Sequence, residues 1–371
     1  MRRDFGTITE LERGKLYKVY WTEGGKRRSH RVHGTRKDAS SYLASVQVRT
    51  VGANAGTTYD EYWEAVVQPS FDGLAPLTIL EYETMWSKHL QPKIGSKRVS
   101  ETNFRNAQSV LSSIEAPSAK LKCKRLWSKI CTMAVSQDGI LAHNPLQTVR
   151  VDQPVPKAKA IWEVADMPMV FEKVFGYKVE PLVLLSIGCG LRPEECFALN
   201  WEDLVFIDGT CYVNIERTLV LVANKAVEQG RTKTRGSRRE AACAGYFAER
   251  LSMLATGKSG PLMPSPQGGR TSPATIAHNW KSWCGRHGVT HVTFENMRTN
   301  YKTFAAGALI PAELVRMQMG HAGATIAETN YLVSTRPIMR MVADMYWGFI
   351  EKNAPLCNRD ARVMAGGERV G

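Results

Sequence analysis

Ser186-Ile187-Gly188-Cys189-Gly190-Leu191-Arg192-Pro193-Glu194-Glu195-Cys196-Phe197-Ala198-Leu199-Asn200-Trp201-Glu202-Asp203-Leu204 is the stretch on which the reading of this chain turns. It places an arginine in a Gly-Leu-Arg turn, a glutamate three residues later, and a Leu-x-Trp-x-Asp ending. A guanidinium is planar and stays protonated, so it suits two-point binding of a phosphate. The plainer reading of the same letters is a helix-capping turn with a surface salt bridge.

Two later stretches bear on the choice. Val292-Thr293-Phe294-Glu295-Asn296-Met297-Arg298-Thr299-Asn300-Tyr301 supplies a second arginine, and Met319-Gly320-His321 is followed ten residues after the histidine by Tyr331. A phenol with a pKa of about 10 is almost wholly protonated in neutral water. Its attack on a phosphodiester needs cationic and hydrogen-bonding help nearby.

Taken together, these segments resemble the active site of the tyrosine recombinases, the phage integrase family. The resemblance implies that Arg192 and Arg298 clamp the scissile phosphate, that Glu195 supports them by an ion pair or hydrogen bond, and that His321 donates to a non-bridging oxygen. Tyr331 becomes the nucleophile, with the longer of the two His-to-Tyr spacings found in the family. The family's catalytic lysine falls in a β-hairpin matching Gln229-Gly230-Arg231-Thr232-Lys233-Thr234-Arg235-Gly236-Ser237-Arg238-Arg239. Lys233 is the expected general acid for the leaving 5′ oxygen, with Lys225, Arg231 and Arg235 as competitors. Where the family carries a histidine three residues before the second arginine, this chain has Glu295. Three roles stand open for it: proton acceptor for the tyrosine, buttress of Arg298, or bystander with His291 in the missing role. No G-x-x-x-x-G-K-[ST] loop and no carboxylate cluster spaced for two metal ions is present in the sequence. No cofactor is expected.

Composition points the same way. Among 371 residues there are 49 Lys or Arg against 35 Asp or Glu, a formal charge of +14, which favours a polyanionic partner. Residues 1–50 hold twelve of the cations and five of the anions, half the net charge. No stretch approaches the roughly 18 apolar residues of a membrane span, and Met1-Arg2-Arg3-Asp4-Phe5 lacks the apolar run of a secretory signal. The expectation is a cytoplasmic, nucleoid-associated protein of a bacterial host. Eight scattered cysteines without metal-ligand spacing read as reduced, mostly buried thiols.

Phe5 to Glu12, Leu16 to Trp21 and Lys26 to Val32 predict three strands joined by glycine turns, followed by a helix capped at Thr35 with Asp38 three residues on. This resembles the arm-type DNA-binding domain of many integrases, and Lys26, Arg27, Arg28 and Arg31 are its candidate DNA contacts. Glycine-rich 51–58 reads as a linker. Helical patterns follow over Tyr59–Val67, Pro76–Leu90, Thr102–Ser113 and Ser118–Asp138. On the last, Lys120, Lys122, Lys124 and Arg125 are candidate phosphate contacts opposite an apolar face. Pro337 to Ile350 predicts an amphipathic helix that docks either on its own domain or on a neighbouring subunit.

The expected fold is multidomain α+β: an arm-type sheet and helix (1–52), an all-α, SAM-like core-binding bundle (58–152), a mainly α catalytic domain with a small β-hairpin sheet (160–350), and a tail (351–371). The expected function is integration and excision of a phage or mobile element through a 3′-phosphotyrosine intermediate. Implied partners are double-stranded attachment-site DNA at core and arm sequences, three further copies in a homotetramer, and integration host factor and an excisionase as candidate accessory proteins. A type IB topoisomerase-like activity and a catalytically decayed DNA-binding relative are the alternatives.

Overall fold

The computed structural model describes residues 5–23, 26–51, 54–154, 158–223, 225–230, 239–320 and 335–355. The chain divides into two compact units, 1–156 and 157–371.

The first unit opens with an antiparallel sheet of β1 (Gly6–Glu12), β2 (Leu16–Glu23) and β3 (Lys26–His33), in that order. Strand side chains alternate between faces. Tyr17 and Val19 therefore point together, and they are buried on Ala39 of α1 (Arg36–Val51), with Ile8, Trp21, Val32, Tyr42 and Leu43 around them. The N-terminus of α1 is closed as its sequence suggests: the backbone N and hydroxyl of Thr35 donate to Asp38 at 2.6 and 2.8 Å.

A second core in this unit is helical. Two of the predicted helices change character midway: α2 (Tyr59–Tyr62) runs into a π-turn over Trp63–Val67, and α3 (Pro76–Met85) into another over Trp86–Leu90. Each wide turn begins on a tryptophan, and the Trp63 and Trp86 rings stack at 4.5 Å, a packing that the simple 3.6-residue period does not anticipate. α4 (Gln91–Ile94), α5 (Phe104–Ser112) and α6 (Pro117–Ser136) complete it. The buried Tyr59 hydroxyl ties three segments, taking the Trp127 indole N–H at 2.7 Å and lying 2.6 Å from Thr102 Oγ1.

The second unit is built around α8 (Glu180–Gly188), every residue of which is buried. A helix apolar on all sides must sit inside its domain. Its one charge, Glu180, pairs with Arg250 at 2.6 Å. Around it stand α7 (Met167–Val174), α9 (Pro193–Cys196), α10 (Tyr246–Ala255), α11 (Pro273–His287), α12 (Phe294–Gly307), α13 (Ala312–Met319) and α14 (Arg336–Asn353). A sheet runs β4 (Leu204–Ile207), β5 (Thr210–Ile215), β8 (Arg239–Ala244), with a separate hairpin of β6 (Arg217–Val222) and β7 (Lys225–Gly230).

α14 packs on its own unit: Met339 and Ala343 lie on Tyr212, Ala242 and Ala244, and the Tyr346 hydroxyl donates to Ile187 O at 2.8 Å. The buried face is Met339, Val342, Ala343, Tyr346 and Ile350, whereas Met341 and Met345 are exposed. The mixed α+β architecture is as expected from sequence. Among the described residues no helix is long and apolar enough to cross a membrane.

Candidate active site

The turn after α8 shows how the local sequence aims Arg192. Gly190 adopts φ 63° and lies against the Tyr301 ring, where an added Cβ would come within 2.7 Å of the ring; glycine alone meets both demands. Arg192 is then extended and caps α9, with Pro193 at the first helical position. Glu195, three residues on, reaches back to the Arg192 backbone N–H at 3.0 Å and to its NH1 at 2.8 Å. The capping-turn reading is thus correct in geometry, but this salt bridge is no surface feature, since Glu195 is 0% exposed.

Arg298 arrives from α12, whose first turn is capped by Thr293 accepting from Asn296 N at 3.1 Å. It is 5% exposed and donates to Gly190 O at 2.5 Å and Met319 O at 2.9 Å. Burial, and after it the Arg192 charge, pushes its guanidinium down to about 10, with the nearby Glu195 and Glu295 carboxylates acting the other way. It remains a cation at neutral pH.

A third arginine, unrecognised in the sequence, completes the cluster. Arg239, the first residue of β8, grips both oxygens of Glu195, NH1 to Oε1 at 3.1 Å and NH2 to Oε2 at 2.8 Å. Its Nε donates to Gln318 O at 3.2 Å, while Arg192 donates to Met319 O (3.5 Å) and Gly320 O (3.2 Å). The last carbonyls of a helix lack intrahelical partners and carry its negative dipole end, so α13 presents three successive acceptors to three guanidiniums. The Gln318 side chain pairs with both backbone groups of Ala242 on β8, at 3.2 and 2.5 Å, which holds α13 against the strand. Arg239 is the second of an Arg-Arg pair, and neither spacing nor composition singles it out.

Of the predicted catalytic residues, Arg192, Glu195 and Arg298 are brought together. Glu295 is exposed in the first turn of α12, one turn ahead of Arg298. His291 is half-buried in the approach to the same helix; burial, and then Lys281, lowers its pKa. Lys233, Arg235, His321 and Tyr331 lie outside the described residues, as does the competitor Arg231. Lys225 is exposed at the start of β7.

The DNA-contact candidates divide by face. The β2–β3 register pairs Lys18 with Arg31, Tyr20 with Ser29 and Thr22 with Arg27, which puts Arg27 and Arg31 on the face away from α1. There Lys18 and Arg27 flank the Tyr20 ring at 5.1 and 4.7 Å, a cation–π arrangement. Arg28 and Lys26 alternate to the other face, beside Trp21 and Glu23. On α6 the basic residues do not form one free stripe. Lys122 pairs with Glu81 at 2.6 Å and lines a groove of about 310 Å³ with Arg125 and Tyr82, while Lys120 and Lys124, by helical spacing, lie on the opposite flank of the buried face.

Residues 169–336 match the model of the phage integrase family. That segment, which lies within the second unit, carries a domain of the tyrosine-type site-specific recombinases. Its fold is similar to that of the Tn1549 transposon integrase in complex with a circular intermediate DNA, with a TM-score of 0.61 and 16% identity over 77% of this chain and 98% of that one. It is also similar to lambda integrase solved as a dimer bound to a COC′ core site, with a TM-score of 0.54 and 12% identity over 90% of this chain and 99% of that one. A lambda integrase tetramer bound to a Holliday junction gives a TM-score of 0.54, 11% identity, and coverage of 90% and 99%. At such identities the likeness is one of fold. A comparison with curated protein sequences finds no match.

Proposed function

We propose that this recombinase cuts and rejoins DNA through Tyr331, and that it integrates and excises a phage or similar mobile element. The observation that carries the reading is the convergence of Arg192 and Arg298 on the α13 terminus, where Met319 O and Gly320 O immediately precede His321. In this scheme the Tyr331 phenol releases its proton to solvent as its oxygen bonds to phosphorus and the bond to the 5′ oxygen breaks, and Lys233 gives that leaving oxygen a proton. The product is a 3′-phosphotyrosine ester and a 5′ hydroxyl. Attack by a partner strand's 5′ hydroxyl reverses the step and returns the phenol. Arg192, Arg298 and His321 stabilise the charge that builds on the non-bridging oxygens. Because the ester conserves the bond energy, the exchange needs no nucleotide or metal. Glu295 fits a buttressing role, since its carboxylate favours the protonated form of Arg298 that burial disfavours.

The organisation follows from the same reading: an arm-binding domain over 1–52, a core-binding bundle over 58–152 and the catalytic domain over 160–350, with a tail from 351. Separate buried clusters under the sheet and among the helices of the first unit support the first division. Lambda integrase covers 90% of this chain, against 75% for its shortened form, and that difference supports likeness at the arm-like end. The protein would act as a tetramer on core and arm sites in the nucleoid of a bacterial cell, with integration host factor or an excisionase setting direction.

The test uses the full chain and a nicked suicide duplex carrying its binding site, obtained by selecting bound sequences from random duplexes. Wild type should form a covalent adduct that survives denaturant, and Tyr331→Phe should form none. No adduct from wild type, or equal adduct from Tyr331→Phe, sinks the proposal.

A further inference from the structure

We infer that Arg239 is a positioning residue for strand cleavage: it saturates Glu195 and thereby keeps the Arg192 guanidinium turned toward the scissile phosphate. The inference rests on the phosphate-clamp role proposed for Arg192.

The two arginines share one carboxylate on unequal terms. Each Glu195 oxygen accepts from both: Oε1 from Arg192 NH1 (2.8 Å) and Arg239 NH1 (3.1 Å), Oε2 from the Arg192 backbone N–H (3.0 Å) and Arg239 NH2 (2.8 Å). Arg239 therefore holds the carboxylate in a two-point fork, whereas the Arg192 side chain touches it at one point. Exposure divides the same way, 8% for the Arg239 side chain and 27% for Arg192. A phosphate arriving from solvent meets Arg192, and Arg239 is committed beneath it.

Removing the fork changes what Arg192 does. A buried carboxylate that loses two donors is costly to leave unsatisfied. Arg192 is already bonded to it and would close on it with its own fork, withdrawing donors from the phosphate. Arg239 is itself fixed from a third side by Nε donating to Gln318 O at 3.2 Å. It also fills the space that a Cβ on Gly320 would occupy. A lysine cannot reproduce this, because an ammonium is a point charge without the planar two-point geometry.

The experiment measures adduct formation by the full chain on two suicide duplexes of the selected sequence, one with the natural phosphodiester at the cleavage position and one with a methylphosphonate there. The methylphosphonate lacks one negative charge and so depends less on the arginine clamp. Arg239→Lys should slow adduct formation at least about tenfold on the phosphodiester, a loss on the scale of one misplaced transition-state donor. On the methylphosphonate the same variant should come within about threefold of wild type. Arg192→Ala, run alongside, should show the same substrate dependence more strongly. Should Arg239→Lys fail to fold, as judged by its thermal unfolding, Arg239→Gln, which can offer Glu195 an amide donor but not the two-point charged fork, should give the same pattern. Equal losses on both substrates, or no loss, overturn the positioning role. If Arg192→Ala also lacks the substrate dependence, the clamp reading falls as well; if Arg192→Ala shows it and Arg239→Lys does not, only the role of Arg239 falls.

Discussion

Gly320→Ala should destabilise the second unit well beyond what its backbone conformation alone demands. Gly320 ends α13 at φ 65° and ψ 41°, the left-handed region that costs a residue with a Cβ about 1–2 kcal/mol. Gly257 shares the strain, with φ 70°, but has open space around it, so Gly257→Ala measures the backbone cost by itself. At Gly320 the new methyl would stand 2.5 Å from Nε and NH1 of Arg239. A surface guanidinium would swing aside. This one is tied to Glu195 and Gln318 by three hydrogen bonds, and disturbing a single bond to a buried charge costs roughly 1.5–3 kcal/mol. The expectation is therefore about 1–2 kcal/mol for Gly257→Ala and about 3–5 kcal/mol for Gly320→Ala. Urea titration of each full-length variant, followed by tryptophan fluorescence, reads the difference. If the two variants agree within about 0.5 kcal/mol, which is the spread of an ordinary surface change, the packing of Arg239 against the helix end is wrong.

Two further outcomes follow from burial and register. Burial pushes the thiols of Cys131 and Cys196 up to about 12 and that of Cys123 to about 11, whereas an unfolded thiol titrates near 8.5. The unfolded chain thus loses these protons first, and folding stability should fall as pH rises from about 9 toward 11–12; an unchanged urea midpoint between about pH 8 and pH 10 would contradict this. In the sheet, Tyr20→Ala or Arg27→Ala should cost about 1–3 kcal/mol of preference for the selected sequence over random duplex, as loss of a base-reading contact does. Arg28→Ala should instead weaken both duplexes alike and flatten the salt dependence. Fluorescence anisotropy at two salt concentrations separates them, and indistinguishable effects would remove the distinction between the faces.

Much of this architecture is legible in the sequence because short-range rules act there. Alternation and glycine turns mark β1 to β3, and the apolar run Pro181-Leu182-Val183-Leu184-Leu185 marks a segment that must be buried. The Arg192–Glu195 spacing is itself a capping box, so the first half of the site is written locally. What remains hidden depends on partners distant in sequence. In the sequence Arg239 is indistinguishable from its neighbour Arg238, and the direction of its side chain is set by the pairing of β8 with β5. Lys122 looks like its neighbours until α3 brings Glu81 beside it. The π-turns at Trp63 and Trp86 shift each helix's phase through aromatic stacking, which a fixed period cannot register. In α14 Met341 and Met345 are apolar yet exposed, because contact with β8 selects Met339 and Ala343 instead.

The sharing of Glu195 has a consequence for how this site can change over generations. Two cations bound to one buried anion do not contribute independently. Loss of Glu195 alone leaves the buried Arg239 guanidinium without its anion, and loss of Arg239 alone draws Arg192 onto the carboxylate, whereas neutral groups at both positions remove the buried pair together. Single substitutions at either position should therefore be poorly tolerated while certain double substitutions survive. Descendants of this chain would be expected to keep the pair intact or to exchange both members together, so that covariation at positions 195 and 239 would betray their contact even where neither residue retains its present identity.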